Sequence, residues 1–142
     1  MTLNPQEYAK LLPEVRALVN KVVQKNMADA MLFSAGTDTQ IIAYEAVKHK
    51  LNIPCLTLHF KHGNPKDAEY VKKMVDFLKL NHKTHMFGRE EVLENIPKVV
   101  EVLKKFDPME IRNSIPVYIG LKILKRNSSK SVFTGDALDE LF

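Results

Sequence analysis

Two short runs in this chain hold the residue types of phosphate and metal chemistry. The first, Phe33-Ser34-Ala35-Gly36-Thr37-Asp38-Thr39, follows the apolar Ala30-Met31-Leu32 and leads into a helical pattern. Small residues at 34–36 let backbone N–H groups approach an oxyanion at a helix N-terminus, and the Ser34, Thr37 and Thr39 hydroxyls add donors. The second run, Thr134-Gly135-Asp136-Ala137-Leu138-Asp139-Glu140, places three acids within five residues after the apolar Val132-Phe133. If the strands preceding these runs are neighbours, their ends lie about 4.8 Å apart. Asp38 and Asp139 then stand close enough to share a divalent ion. Mg²⁺ suits such a pair, because it takes one or two carboxylates and fills its shell with phosphate oxygens and water. Read singly, the first run is favoured as a turn capped by Asp38 or Thr37, and the second reads as a solvated acidic loop. The chain contains neither a Gly-x-x-x-x-Gly-Lys-Ser/Thr loop nor a Gly-x-Gly-x-x-Gly fingerprint, which excludes those two nucleotide-binding designs.

Other residues invite a metal reading. Cys55 and His59 share a strand face by the period of two, and His62, His82 and His85 follow. Their spacing matches no four-ligand zinc pattern, so a buried thiol and scattered imidazoles are expected. Met27, Met31, Met74, Met86 and Met109 read as core filler.

These residues must be positioned by a chain of 142 residues, a length that suits one domain. Its apolar share of 45% fits a globular core. Lys and Arg total 21 against 17 Asp and Glu, for a net charge of +4. The basic residues are dispersed, so nucleic acid is not the expected partner. A single Cys fits a reducing compartment. No apolar run approaches the roughly 20 residues of a membrane span, and the first residues lack the basic start and apolar core of a signal peptide. A cytoplasmic domain without a membrane partner is expected.

Four short apolar segments read as strands: Ala30 to Phe33, Ile53 to Phe60, a weak Lys83 to Phe87, and Ser131 to Thr134. Helical patterns separate them. One begins at Asn4-Pro5 and is interrupted at Pro13, after which Val15, Leu18, Val19 and Val22 mark a fresh helix. Others cover residues 38–50, 66–80 and 89–106, the last with a stripe of Val92, Ile96, Val99, Leu103 and Phe106. A further helix starts at Asp107-Pro108 and reaches about Arg126, with a break expected near Pro116 or Gly120. Strands alternating with helices predict a doubly wound parallel α/β sheet with the first strand central, between the second and fourth. Ligands of such sheets bind beyond the carboxyl ends of the strands, where both runs fall.

Taken in order, four segments resemble the PP-loop ATP pyrophosphatases, in particular the synthetase domain of asparagine synthetases. Ser34 to Thr39 is similar to that family's Ser-Gly-Gly-x-Asp-Ser. Gly63-Asn64-Pro65 resembles its Gly-Ser-Pro, and residues 107–118 resemble Asp-x-x-x-Ile-Arg-x-Ser-x-Pro-x-Tyr. Residues 132–142 resemble Ser-Gly-Glu-Gly-x-Asp-Glu-Leu-Phe. The likeness extends from about residue 28 to the end.

The resemblance implies a Rossmann-like fold of adenine-nucleotide alpha-hydrolase type, with residues 1–142 as one domain, 1–26 a helical segment and 27–142 the nucleotide-binding core. It implies an ATP- and Mg²⁺-dependent ligase that adenylates a small, aspartate-like carboxylate, releases pyrophosphate and passes the acyl group to an amine. Ser34, Ala35, Gly36, Thr37, Asp38 and Thr39 would then hold pyrophosphate. Phe33, Thr134, Gly135 and the end of the second strand, Leu58 or His59, would line the adenosine. Asp38 and Asp139 would bind the metal, and Arg112 and Asp136 would be catalytic. A tRNA-modifying PP-loop protein and a non-catalytic nucleotide-binding domain share the same fold expectation. Position 35 departs from the motif, since Ala stands where the family has Gly and its methyl is expected to crowd the phosphate. Thr2 leaves no N-terminal nucleophilic Cys. The family continues beyond Glu-Leu-Phe with a helical region carrying a Lys, so residues 1–142 are expected to bind nucleotide but synthesise amide poorly. The apolar end Leu141-Phe142 is the expected contact for an oligomer.

Overall fold

The computed structural model describes residues 4–136. Asp139, Leu141 and Phe142 lie outside them. Four parallel strands form one sheet: β1 (Ala30–Leu32), β2 (Cys55–Phe60), β3 (His82–Phe87) and β4 (Val132–Phe133), in the order β3-β2-β1-β4. Five helices accompany it: α1 (Pro5–Lys25), α2 (Thr37–Lys48), α3 (Pro65–Leu78), α4 (Arg89–Leu103) and α5 (Pro108–Arg126). The strand alternation decides which helix covers which face. Met31, Phe33 and Cys55 point to a core shared with Ala43 of α2 and Val71 and Leu78 of α3. Ala30, Leu32, Leu56 and Leu58 point the other way, onto Ile123 and Leu124 of α5. Beyond them, α4 joins α5 through Val99, Ile111, Ile115 and Ile119. Both faces are covered, which is why the strands read as nearly continuous apolar runs.

The chain moves outward from β1 through β2 to β3, then returns across α4 and α5 to place β4 on the other side of β1. The order reverses between β1 and β4, and a crevice opens at such a point beyond the strand ends. Asp29 fixes this junction. Its carboxylate accepts the N–H groups of Lys130 (2.7 Å) and Ser131 (3.1 Å), and its own N–H donates to the Ser131 carbonyl (3.2 Å). The two backbone donors hold the Asp29 carboxyl below the usual carboxylate range. The pairing Ala30↔Val132 and Met31↔Phe133 follows directly.

Several boundaries differ from the sequence expectation. Helix α1 runs unbroken through Pro13, which is exposed, so the carbonyl it leaves without a helical donor faces water. Helix α5 likewise passes Pro116 and Gly120 without a break: Gly120 packs against Leu32 and Leu58 of the sheet, and Pro116 borders open space, where its missing N–H displaces no packed neighbour. Strand β3 is as long as β2, with all six residues in register, although only Phe87 is buried on it. Edge exposure explains its weak signal. Phe106 lies beyond the end of α4 and is 83% exposed.

Candidate functional site

The first run leaves β1 at Phe33, whose N–H donates to the Leu56 carbonyl (2.9 Å) and whose ring is buried. The chain then turns through Ala35 at φ +59°. An L-residue in this left-handed region is disfavoured by about 1–2 kcal/mol, which Gly avoids. The methyl of Ala35 joins the buried cluster of Met31, Phe33, Ala43 and Cys55. It is therefore directed into the core, and the expected crowding of the ligand side gives way to backbone strain.

Gly36 is the N-cap of α2 and offers no side-chain acceptor to the first N–H groups of the helix. Those groups, with the helix dipole, favour an anion in front of them. The turn is braced from within: the Gly36 N–H donates to Ser34 Oγ (3.2 Å), and Thr39 Oγ1 donates to the Gly36 carbonyl (3.1 Å). Ser34 Oγ and Thr39 Oγ1 also lie 3.2 Å apart. Gln40 ties the turn further by donating to the Ala35 carbonyl and to the Tyr70 hydroxyl (3.0 Å). Thr39 is buried, whereas Asp38 is half-buried in the first turn of α2.

The loop after β4 sits on this helix end. A Cβ placed on Gly135 would lie 2.7 Å from the Thr39 Cγ2 and 3.4 Å from both the Asp38 Cβ and the Thr39 nitrogen. Only the bare backbone of glycine fits there. The two runs thus meet across the β1/β4 junction, and between them and α5 lies an open cavity of about 260 Å³. Leu32, Leu56 and Leu58 of the sheet, with Pro116 and Val117 of α5, give it an apolar wall. Ser34, Gly36, Asp38, Thr39, Thr134 and Asp136 supply its polar part. An apolar wall suits a flat ring, while hydroxyls, helix N–H groups and acids suit charged groups and a cation.

Of the residues named from the sequence, Phe33, Ser34, Gly36, Asp38, Thr39, Leu58, Thr134, Gly135 and Asp136 line this one cavity. Ala35 faces the core, and Thr37 is exposed in the same turn. His59 does not line it; its ring lies instead beside Gly63. Arg112 is exposed on α5 and borders an adjoining groove of about 660 Å³, lined by Phe60, Phe87, Ile96 and Phe106 among others. Pro116, one helical turn after Arg112, borders both spaces. Leu56, Pro116 and Val117 were not foreseen as site residues. The Leu56/Leu58 alternation was the available signal, since it assigns both to one face of β2.

The remaining candidate ligands are separated. Cys55 is buried, its thiol pushed up to about 11 by burial, and it points to the Ile53 carbonyl (3.6 Å). His82 hydrogen-bonds Thr57 Oγ1 (2.7 Å), and burial lowers its pKa below the ordinary imidazole value. His85 meets Glu91 at 3.0 Å. Among the described residues no group of three or more His, Cys, Asp or Glu is placed to hold a metal ion, and no described helix is long and apolar enough to cross a membrane.

Comparison with known proteins agrees with this architecture. The chain is 28% identical over 156 aligned residues to a probable glutamine-hydrolysing asparagine synthetase of Schizosaccharomyces pombe, covering 98% of this chain and 28% of the relative. Against the glutamine-hydrolysing asparagine synthetase of Homo sapiens it is 26% identical, with 89% and 24% covered. The chain thus spans about a quarter of the length of these relatives. Among solved structures, the NMN synthetase of Francisella tularensis superimposes with a TM-score of 0.53 at 16% identity, over 89% of this chain and 51% of the other. The NH3-dependent NAD synthetase of Campylobacter jejuni does so with a TM-score of 0.52 at 13% identity, over 89% and 53%. The family model described as asparagine synthase matches residues 12–142, nearly the whole chain, and the protein belongs to that family.

Proposed function

We propose that this chain binds ATP with Mg²⁺ in the cavity between β1, β4 and α5, as the nucleotide-binding part of an AMP-forming amide ligase. The observation that carries the proposal is the seating of Gly135 on the first turn of α2, which turns Asp38, Thr39 and Asp136 toward one space. In this reading residues 1–142 act as one unit, with 27–142 as the core. The adenine rests on the leucine wall, with the Phe33 backbone, Thr134 and Gly135 at the adenosine. The turn from Ser34 to Thr39 receives the pyrophosphate, its charge balanced by the open N–H groups of α2.

The donor set fits magnesium, since carboxylate oxygen is the ligand type of this hard cation and Asp38 stands at the cavity edge. Asp38 and Asp139 would hold the ion, which when bound neutralises the departing pyrophosphate. Asp136 would orient the reacting groups. Arg112, at the border of the adjoining groove, would hold an oxyanion of the acid or the phosphate, a task that suits its planar fork. The acid is a small carboxylate of aspartate type, its oxygen attacking the alpha-phosphorus with pyrophosphate as leaving group. A cytoplasmic setting supplies both ATP and the acid.

The test is product analysis with labelled ATP, magnesium, ammonia and a panel of carboxylic acids. The expected result is slow formation of AMP and pyrophosphate that depends on the acid and is lost in Asp38→Ala and Arg112→Ala. Formation of ADP and phosphate, or AMP formation indifferent to every acid, would contradict the proposal.

A further inference from the structure

Helix α1 has two apolar faces, and the fold uses one. Val23 is buried and Asn20 hydrogen-bonds the buried Glu45 of α2, which fixes the side of α1 that rests on the domain. Leu11, Val15, Leu18 and Val22 lie on another side and are all between 42% and 56% exposed. Their spacing of four, three and four is that of alternating d and a positions in a heptad, the seam of a coiled coil. The spacing also reads the same in both directions, so an antiparallel two-fold places Leu11 against Val22 and Val15 against Leu18 of a second copy, with every layer filled.

The charges choose between orientations. Glu14 and Lys21 occupy successive g positions beside the seam, and neither makes an ion pair among the described residues. In an antiparallel pair g faces g, which sets Glu14 of each copy against Lys21 of the other. In a parallel pair each would face an e position instead, where Val19 and Asn26 stand. The charge complementarity exists in one arrangement only. At 1.5 Å per residue the 21 residues of α1 span about 31 Å, enough for four seam layers and both ion pairs.

We infer that α1 is a self-association surface, on which two copies of this chain pair antiparallel through Leu11, Val15, Leu18 and Val22 with reciprocal Glu14–Lys21 contacts. Such an interface is isologous and closes at the dimer. It is independent of the nucleotide reading, because α1 contributes nothing to the cavity.

Sedimentation of the 142-residue chain over a concentration series up to about 100 µM tests it. The expected result is a monomer–dimer equilibrium that Leu18→Glu shifts to monomer with helical circular dichroism unchanged. Glu14→Lys or Lys21→Glu alone is expected to weaken the dimer by about tenfold, since each puts like charges together twice. The double variant Glu14→Lys/Lys21→Glu restores the attraction and the affinity. A chain that stays monomeric throughout would overturn the inference and assign the seam to a different covering partner. So would a dimer that survives Leu18→Glu, or one in which the double variant fails to recover.

Discussion

Ala35 and Gly135 show how single positions set the shape of the crevice, from opposite sides of the glycine rule. Ala35 adopts a left-handed conformation that glycine takes without strain, yet its methyl is buried in the core. The backbone relief and the lost methyl oppose each other, and relief of about 1–2 kcal/mol exceeds the roughly 0.8 kcal/mol of one buried carbon. Ala35→Gly is therefore expected to raise stability by up to about 1 kcal/mol, read as a higher denaturant midpoint at constant slope. Gly135 is the reverse case, with φ outside the left-handed region and no room for a Cβ. Gly135→Ala is expected to lift the acidic loop off α2 and weaken ATP binding about tenfold in calorimetry, about 1.4 kcal/mol. Cys55 gives a third test. Its thiol is buried and held protonated at neutral pH, so native protein should resist alkylation at pH 8 and react fully once unfolded. Rapid native modification would contradict its placement.

At the level of elements, the strands and helices were legible in the sequence because the sheet is covered on both faces, leaving short apolar runs between amphipathic stretches. What was not legible has a separate physical cause in each case. Pro13 read as an interruption and Pro116 as a break, yet each lies inside a continuous helix in which one lost hydrogen bond is outweighed by the rest of the helix. Strand β3 read as weak because its exposed edge carries His and Lys, while its pairing to β2 is made by backbone. The adjoining groove near Arg112 involves residues from β2, β3, α4 and α5, and no local pattern announces such an assembly.

Two predictions belong at this scale. A Cβ on Gly120 of α5 would lie 2.6 Å from Leu32 Cδ2 and 2.8 Å from Leu58 Cδ2, both on the cavity wall. Gly120→Val is expected to lower stability by about 1–3 kcal/mol and to reduce nucleotide affinity through the displaced leucines. The Thr57–His82 bond joins β2 to β3, and burial favours the neutral imidazole there. A lowered native value means that protonation favours the unfolded chain. Stability should then be full above the ordinary histidine value of about 6.5 and fall as pH drops below it, levelling off once the native value is passed. Thermal melts should show this slope reduced in His82→Gln.

For the whole molecule, the order β3-β2-β1-β4 is what converts two ordinary turns into one site. The first strand was expected between the second and fourth, and it lies there. From that placement alone the 34–39 and 134–136 loops must share an end of the sheet. The spatial consequence that no sequence pattern could supply is contact: Gly135 touches the first turn of α2, whereas the His59 ring lies beside Gly63 and Arg112 borders the adjoining groove. Asparagine synthase family membership and the likeness to the NAD and NMN synthetase folds agree with this strand order.

The central claim is therefore that the β1/β4 crevice holds a magnesium nucleotide through Asp38. Isothermal titration of the chain with ATP in the presence and absence of Mg²⁺ tests this most directly, with Asp38→Ala as the paired variant. The account predicts one site per chain, binding that weakens sharply without magnesium, and a loss of about tenfold or more in Asp38→Ala with the fold intact by circular dichroism. Folded wild-type protein that gives no heat with ATP and magnesium, or an Asp38→Ala variant that binds as tightly as the parent, would contradict it.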